Sequence, residues 1–240
     1  MSQKLYEWLE KSIKEYYQPV KIIKRSEKKE ITLYQHKESG RTVIAKRLKY
    51  VSRIYERLTE IGHVNLVRVI EAVSSDSRTI VMEEYLDGMT VADVLESGRF
   101  SQKEVSRIVM QVCDGLNVLH KHQIIHRDIK PENVFIMSDG NVKIIDFDAS
   151  RVYREYEKKD TVALGTIGYA APEQYGESQT DERSDIYALG ILMNVMLTGK
   201  HPVNEMAQRE AGKIIEKCIR VNPGNRYRTV MEVKEKLKRL

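Results

Sequence analysis

The sequence is poor in cysteine and has no long apolar run. Its two cysteines, Cys113 and Cys218, lie in apolar helical patterns, without a CxxC pair or a histidine at metal-ligand spacing. This pattern excludes a zinc site built on cysteine and predicts two buried, reduced thiols. No apolar run approaches the roughly 20 residues needed to span a bilayer. The first residues are amphipathic and do not resemble a signal peptide, so we expect a cytoplasmic protein with no membrane partner.

A block of charge of one sign is also missing. The 240 residues include 40 lysines and arginines against 35 acidic residues, which gives a formal net charge of +5. Because the two signs are interleaved, this excess predicts a solvated mixed surface and no nucleic-acid partner. The hydrophobic content of 41% is sufficient for one large domain or two small lobes.

Glycine is absent from the stretch KIIKRSEKKEITLYQH, residues 21–36. A loop that covers a phosphate with its backbone N–H groups usually needs glycine, because side chains keep the backbone away from the ligand. The absence therefore excludes a glycine-rich phosphate loop in this part of the chain.

The first third of the chain is predicted to consist mainly of strands. Residues 3–17 form an amphipathic helix, which we treat as the segment 1–18. Its expected apolar face consists of Leu5, Trp8, Leu9, Ile13 and Tyr16. Strand-like runs follow at VKIIK, EITLYQH and RTVIAKRL, then near 67–73 and 78–84, with a helix near 51–61.

Beyond about residue 90 the pattern becomes helical. Long helices are predicted at 101–122 and 182–198, with short strands at NVFIM and VKIID between them. A strand-rich first part and a helical remainder predict an α+β fold of two lobes, residues 19–84 and 85–240.

The stretch IIHRDIKPENVF carries the strongest chemical signal. It places Asp128, Lys130 and Asn133 on one loop before a strand, and KIIDFDASR places Asp146 at the end of the next strand. Oxygen ligands and a lysine that converge in this way suit phosphoryl transfer, which depends on positioning and charge neutralisation. Asp128 would orient or deprotonate the attacking hydroxyl, and Lys130 would steady the phosphoryl group. Asn133 and Asp146 would hold Mg²⁺.

In order and spacing, these and other motifs resemble the eukaryotic-type (Hanks-type) serine/threonine protein kinase family over residues 20–240. TVIAK is similar to the strand that carries the ATP-contacting lysine, here Lys46, and EEYLDG is similar to the hinge that meets adenine. GTIGYAAPE resembles the end of an activation segment. SDIYALG resembles the start of the helix whose Asp185 braces the catalytic loop, and Arg226 matches the partner of Glu173.

The resemblance implies a bilobal protein-kinase-like fold, with a small antiparallel β-sheet lobe and a mainly helical lobe in a single kinase domain, residues 19–240. It implies ATP and Mg²⁺ as cofactors. Lys130 and Thr166 match the serine/threonine branch, so the partner would be a protein substrate with a Ser or Thr acceptor. The implied catalytic residues are Asp128, Lys130, Lys46 and Thr166. The residues implied to contact the nucleotide are Lys46, Ile31, Ile44, Glu83, Glu84, Leu86 and Phe135.

The chain departs from the family pattern in its nucleotide-binding part. Lys24, Ser26 and Lys29 stand at the three loop glycine positions, so a loose phosphate clamp and a high Michaelis constant for ATP are expected. Ile44 replaces a small alanine and would narrow the adenine pocket. Asp148 replaces the glycine of DFG, a position where glycine tolerates positive φ, and would restrict movement there.

Two helices also depart from the pattern. The helix after Lys46 is short, and ungapped counting places Ile54 at the position of the expected helix glutamate. Few residues separate LTGKHPV from AGKIIEKC, so one substrate-side helix is predicted to be missing. These departures leave a nucleotide-binding pseudokinase, acting as a sensor or scaffold, as the alternative to an active kinase. A small-molecule phosphotransferase is a more distant one, and the oligomeric state stays open.

One pairing follows from the missing helix glutamate. Glu83 aligns with a position that faces the back of the pocket, where a carboxylate is costly to bury without a cation. We predict that it pairs with Lys46. The alternatives are a register shifted by one residue, which would point Glu83 to solvent, and a contact from Glu56 to Lys46.

A second pairing is predicted in the activation segment. Arg127 precedes the catalytic aspartate, and the resemblance implies that such an arginine pairs with a phosphorylated residue. Asp160 is predicted to substitute for that phosphate, since a carboxylate supplies part of its charge. The alternatives are a surface aspartate and phosphorylation of Thr161.

Overall fold

The computed structural model describes residues 2–153, 166, 168–175 and 180–240. Contacts divide the chain into two compact units. The first consists of Met1–His63 with Val67–Asp87, and the second of Val64–Leu66 with Gly88–Leu240. The first unit carries an antiparallel sheet and the second is mainly helical, which confirms the predicted α+β fold.

The first unit is a five-stranded sheet with two helices. All neighbouring strands are antiparallel, in the order β1-β2-β3-β5-β4. In chain order its elements are α1 (Ser2–Tyr16), β1 (Tyr17–Arg25), β2 (Lys29–His36), β3 (Thr42–Leu48), α2 (Ile54–Leu58), β4 (Val69–Ser74) and β5 (Thr79–Glu84). The strand-like runs read from the sequence therefore coincide with strands.

Helix α1 packs on one face of this sheet. Tyr6, Leu9 and Ile13 are buried from the helix side. They share one hydrophobic cluster with strand residues of the sheet, namely Tyr34, Val43, Ala45, Val73, Ile80 and Met82. Because successive strand residues point to opposite faces, Ile44 and Lys46 lie on the face away from α1.

The predicted apolar face of α1 was wrong in part. Leu5, Trp8 and Tyr16 are 49%, 57% and 50% exposed. The buried positions 6, 9 and 13 follow the spacing of three and four residues that defines one side of a helix. The error arose because Tyr6 was left out of the apolar set, and its ring fixes which side of α1 meets the sheet.

In its described residues, the second unit combines five α-helices with two small sheets. Its helices are α3 (Val91–Ser97), α4 (Gln102–Lys121), α5 (Glu182–Thr198), α6 (Arg209–Cys218) and α7 (Val230–Leu237). Its strands are β6 (Gly88–Thr90), β7 (Ile124–Ile125), β8 (Val134–Met137), β9 (Val142–Ile144) and β10 (Arg151–Val152). Strands β6, β8 and β9 form one antiparallel sheet, and β10 pairs with β7.

Local sequence signals define the ends of the long helices. Ser101 caps α4: its hydroxyl accepts a hydrogen bond from the Glu104 N–H, and the Glu104 carboxylate accepts one from the Ser101 N–H, which completes a capping box. Asp181 caps the start of α5, and Gly199 ends it in the left-handed conformation with φ 74°. Both helices are therefore placed by residues that are visible in the sequence.

Residues 199–208, between α5 and α6, contain no helix. The short segment expected from the sequence is thus present, and the substrate-side helix is missing as predicted. Helix α6 packs closely on α5, because a Cβ on Gly190 would come within 2.6 Å of the Cys218 Cβ. Both cysteines are free and buried, and burial raises the pKa of Cys218 to about 12. The prediction of two buried thiols is confirmed.

Candidate functional site

The carboxylate of Asp128 is the centre of a hydrogen-bonded cluster in the second unit. Its Oδ1 accepts a hydrogen bond from the Thr166 hydroxyl at 2.7 Å. Its Oδ2 lies 2.8 Å from Lys130 Nζ and accepts a hydrogen bond from Asn133 Nδ2 at 2.9 Å. Lys130 Nζ also donates to Thr166 Oγ1 at 2.6 Å. Three residues that the sequence assigned to the catalytic loop and the GTIGY motif, Lys130, Asn133 and Thr166, therefore all contact Asp128.

The electrostatics of this cluster favour an ionised Asp128. Burial raises the pKa of its carboxyl group, but the hydrogen bonds from Lys130 and Thr166 outweigh that effect and hold the pKa below its ordinary value. A carboxylate that is ionised at neutral pH can accept a hydrogen bond from a hydroxyl and orient it. It is a weak base, which suits a reaction where positioning matters more than complete proton removal.

Asn133 and Asp146 lie at the ends of neighbouring chain segments. Asn133 ends a short 3₁₀ helix, Pro131–Asn133, and its backbone carbonyl accepts a hydrogen bond from the Ile145 N–H at 3.0 Å. Asp146 follows directly and has φ 62°, a left-handed conformation that is uncommon for residues other than glycine. Asn133 Nδ2 donates to both the backbone carbonyl and the carboxylate of Asp128. Because both bonds use the amide nitrogen, Oδ1 is the Asn133 atom suited to a cation.

Asp148, at the position of the family glycine, does not have positive φ. The predicted restriction of movement at Asp148 stays a prediction. Positive φ occurs nearby at Arg127 (67°) and Asp146 (62°). Such conformations persist where surrounding contacts fix them, and the hydrogen bond from the Arg127 N–H to Asp185 is one such contact.

Asp185 fixes the backbone of the catalytic loop. This fully buried carboxylate accepts hydrogen bonds from the N–H groups of His126 at 2.9 Å and Arg127 at 2.7 Å. Its Oδ2 also lies 2.8 Å from His120 Nε2. Burial raises the pKa of Asp185, but the hydrogen bond with His120 and the nearby histidines outweigh it, so the pKa lies below its ordinary value. The bracing position implied for Asp185 is confirmed.

Arg127 is held by a residue that the sequence did not reveal. Gln174 Nε2 donates to the Arg127 carbonyl at 3.0 Å, and its Oε1 accepts from the Ala171 N–H at 3.0 Å. Burial and the neighbouring cation Arg151 lower the pKa of Arg127 to about 10. Nothing in the local sequence pattern separates Gln174 from a surface glutamine, since its role depends on a loop 47 residues away. Asp160, the predicted partner of Arg127, lies outside the described residues.

A buried ion pair joins Glu173 and Arg226. Arg226 Nη1 and Nη2 donate to the two carboxylate oxygens of Glu173 at 2.7 and 2.8 Å. The arginine side chain is 0% exposed, and its remaining donors meet backbone carbonyls of Arg183, Arg220 and Val221. The predicted pairing is confirmed, and it ties the segment before α5 to the segment after α6.

The first unit carries the lysine assigned to ATP. Lys46 Nζ lies 2.9 Å from Glu83 Oε1, with side-chain exposures of 6% and 4%. This confirms the predicted pairing of Glu83 with Lys46. Ile31 pairs with Lys46 across β2 and β3, and Ile44 pairs with Glu83 across β3 and β5. Both isoleucines are half-buried on the same face of the sheet.

The other residues assigned to the nucleotide occupy different surroundings. Glu84 accepts a hydrogen bond from the Arg68 N–H at 2.7 Å, so its carboxylate already has a backbone donor. Leu86 is half-buried in the first unit. Phe135 belongs to the second unit, where it lies on β8 opposite Thr90 and Lys143.

The turn without glycine is short and closed by a serine. It comprises residues 26–28, because β1 continues to Arg25 and β2 begins at Lys29. Ser26 N–H donates to the Lys29 carbonyl at 2.8 Å, and Ser26 Oγ accepts from the Lys29 N–H at 3.1 Å. Lys24 therefore lies in a strand, and the loop that replaces the glycine-rich one is a tight turn.

The described residues contain neither a cluster of metal-ligating side chains nor a helix that could span a membrane. Across residues 2–153, 166, 168–175 and 180–240, no three His, Cys, Asp or Glu side chains are grouped as a metal site would require. Among the helices in those ranges, none has the length and apolar character needed to cross a bilayer.

Comparison with known proteins agrees with this geometry. The family model described as "Protein kinase domain" matches residues 16–240, nearly the whole chain. The chain therefore belongs to the protein kinase domain family.

The individual relatives share about a third of the aligned residues with this chain, and they are longer than it is. A probable serine/threonine-protein kinase PknB of Lactococcus lactis is 31% identical over 173 residues, which is 69% of this chain and 28% of that protein. An Aurora kinase of Candida glabrata is 33% identical over 172 residues, or 71% and 48%. A serine/threonine-protein kinase PknB of Mycobacterium leprae is 30% identical over 210 residues, or 75% and 34%. The chain spans less than half the length of each of these relatives.

Proposed function

We propose that this chain is a serine/threonine protein kinase that transfers the γ-phosphoryl group of ATP to a protein hydroxyl. The observation that carries the proposal is the cluster in which Asp128 accepts hydrogen bonds from Thr166, Lys130 and Asn133. The names of the relatives support the same activity.

Each residue has a defined role in this proposal. Asp128 accepts a hydrogen bond from the acceptor hydroxyl and orients its oxygen toward the γ-phosphorus. Lys130, already 2.8 Å from Asp128, places its ammonium where charge develops on the transferred group. Thr166 donates to Asp128 Oδ1, whereas Lys130 and Asn133 both contact Oδ2, so Oδ1 keeps more accepting capacity for the substrate hydroxyl.

Asn133 and Asp146 are suited to bind Mg²⁺. Oδ1 of Asn133 and the carboxylate of Asp146 are hard oxygen ligands, and Mg²⁺ commonly takes one or two such protein ligands together with phosphate oxygens. When bound, Mg²⁺ would neutralise charge on the phosphates. The hydrogen bond from the Ile145 N–H to the Asn133 carbonyl joins the two chain segments that carry these ligands.

The first unit would supply the lysine for the α- and β-phosphates. Lys46 is buried, and its Nζ lies 2.9 Å from the Glu83 carboxylate, which offsets part of the cost of burying an ammonium group. The tight turn at residues 26–28 offers serine and lysine side chains in place of glycine N–H groups. We therefore propose weak ATP binding and a high Michaelis constant. The cytoplasmic location stays a prediction.

The experiment uses the full chain, γ-labelled ATP and a peptide mixture with Ser, Thr and Tyr acceptors. The expected result is label on serine or threonine, lost with EDTA and restored by added Mg²⁺. Asp146→Asn should lose Mg²⁺-dependent transfer, whereas Asp139→Asn, on an exposed turn, should not. Label on tyrosine alone would overturn the acceptor class. ATP binding without any transfer would instead favour the pseudokinase alternative.

A further inference from the structure

The ion pair between Lys46 and Glu83 lies within the sheet of the first unit. In the register of β3 and β5, Lys46 is opposite Val81 and Glu83 is opposite Ile44. The two charged residues are therefore diagonal neighbours on one face, a distance that long side chains can bridge. Strand β3 lies between β2 and β5, and β5 lies between β3 and β4. Backbone hydrogen bonds on both sides of each strand hold the pair in place.

Helix α2 contributes an aromatic ring to this lysine. The helix is five residues long, IYERL, and Glu56 is its one carboxylate. Glu56 Oε1 accepts a hydrogen bond from the Ser74 N–H at 2.9 Å. Tyr55, fully buried, presents its ring 5.4 Å from Lys46 Nζ, within the range of a cation–π contact. Ile54, at the position expected for a glutamate, is also buried.

We propose that Glu83 is a positioning residue that sets the Lys46 ammonium for the nucleotide phosphates from inside the sheet. This inference rests on the proposed function for the identity of the ligand. Glu83 itself touches no phosphate in this account and acts through Lys46. The consequence is an ammonium whose position is fixed by a carboxylate on the neighbouring interior strand.

The same geometry has a regulatory consequence. A lysine that takes its carboxylate from a helix can lose it when the helix shifts. Here the carboxylate is on the neighbouring strand, so a displacement of α2 would not separate Glu83 from Lys46. The carboxylate partner of the lysine is therefore set by the sheet and needs no upstream signal that moves α2.

The test measures ATP binding by calorimetry, with and without Mg²⁺, for native protein and for Glu83→Gln, Glu83→Asp, Glu56→Gln and Lys46→Met. Glu83→Gln leaves a buried ammonium without the carboxylate of its ion pair, so a decrease in ATP affinity of about tenfold or more is expected. Glu83→Gln added to Lys46→Met should cause no further loss, as expected for residues that act as a unit. Glu71→Gln, exposed on β4 opposite Met82, is the matched control.

A pH profile separates positioning from a purely structural role. Without the Glu83 carboxylate the pKa of Lys46 falls, so ATP affinity of Glu83→Gln should decline at a lower pH than in native protein. Glu83→Asp keeps the charge and should restore the native profile, at reduced affinity. Thermal melting of each variant checks that it is folded under the conditions of the binding measurements. Native affinity and profile in Glu83→Gln, with loss in Glu56→Gln, would overturn the inference.

A nucleotide-free measurement keeps this inference distinct from the proposed function. Acylation of Lys46 by an amine reagent, followed by peptide mapping, reports how much of the lysine is uncharged at each pH. Glu83→Gln should be acylated faster than native protein near pH 8, because more of its Lys46 is uncharged. An unchanged acylation rate would contradict the inference. Failure of phosphoryl transfer alone would overturn the proposed function and leave this result standing.

Discussion

Thr166 donates a hydrogen bond from its hydroxyl to Asp128 Oδ1 at 2.7 Å. The same hydroxyl accepts one from Lys130 Nζ at 2.6 Å, so a single oxygen links the acid and the cation of the site. Since Lys130 also contacts Asp128 Oδ2 at 2.8 Å, the three groups form a closed triangle. Thr166 of the GTIGY segment therefore helps to fix the orientation of the Asp128 carboxylate.

Thr166→Val should lower the phosphoryl-transfer rate with little change in fold stability. Valine has nearly the shape of threonine but removes both hydrogen bonds to charged groups, each worth about 1.5–3 kcal/mol, so a decrease in kcat of about tenfold or more is expected. Thr166→Ser keeps the hydroxyl and should retain most of the activity. Steady-state kinetics on one peptide substrate measure both variants. Equal rates for Thr166→Val and native protein would show that this triangle is not needed.

Glu173→Gln should strongly destabilise the second unit. It leaves the Arg226 guanidinium, 0% exposed, without its carboxylate, and breaking a buried pair typically costs about 3–5 kcal/mol. Glu210→Gln, in the exposed pair with Lys213, should cost no more than about 0.5 kcal/mol. Urea unfolding curves give both free energies of unfolding. Similar values for the two variants would contradict the burial argument.

Leu9→Ala tests whether α1 is part of the first unit. Leu9 is 4% exposed against the sheet, and such a truncation typically costs about 2–5 kcal/mol of folding free energy. Leu5→Ala makes the same chemical change four residues earlier on the same helix, at a side chain 49% exposed, and should have little effect. Thermal melting compares the two. If both variants melt like native protein, α1 does not stabilise the sheet.

How much the sequence predicted depended on whether a regular pattern, such as strand alternation, determines the contact. The pairing of Lys46 with Glu83 was predictable because strand alternation and one aligned register determine which residues share a face. The exposed side of α1 was predicted incorrectly because Leu5 and Trp8 are apolar, and only packing shows that Tyr6 takes the inner position. Gln174 was missed because its partner, the Arg127 carbonyl, is remote in sequence.

Backbone conformation was the least predictable property. The sequence did not predict the positive φ of Asp146. It drew the prediction to Asp148 only because Asp148 stands at the position of the family glycine. Residues other than glycine adopt this conformation only when tertiary contacts enforce it, and such contacts leave no local signature in a sequence. The same reason applies to the φ of 67° at Arg127, whose N–H donates a hydrogen bond to the Asp185 carboxylate.

The stability of the protein should fall as pH decreases below about 6.5, partly because of His126. Burial lowers the pKa of this fully buried histidine below its ordinary value of 6.5, although nearby Asp185 and Asp128 oppose the shift. Between the folded pKa and 6.5 the unfolded chain binds a proton that the folded chain does not, so acid favours unfolding there. His126→Phe retains a ring against Phe147 and removes the titration.

The measurement is urea unfolding of native protein and His126→Phe at pH 7.5, 6.5 and 5.5. The native free energy of unfolding should decrease more steeply over this interval than that of the variant. Parallel pH dependences would show that His126 does not titrate in this range between the two states.

The claim that Asp128 orients the acceptor hydroxyl is tested most directly by the transfer rate of Asp128→Asn, measured together with its ATP affinity. Rapid-quench assays at saturating ATP and Mg²⁺ isolate the chemical step, and calorimetry gives the dissociation constant of ATP. The account predicts a decrease in transfer rate of about 10²- to 10⁴-fold, since the group that orients the hydroxyl is lost. ATP affinity should stay within about twofold of native, because Asp128 acts on the acceptor and not on the nucleotide. A native transfer rate in Asp128→Asn would contradict the account.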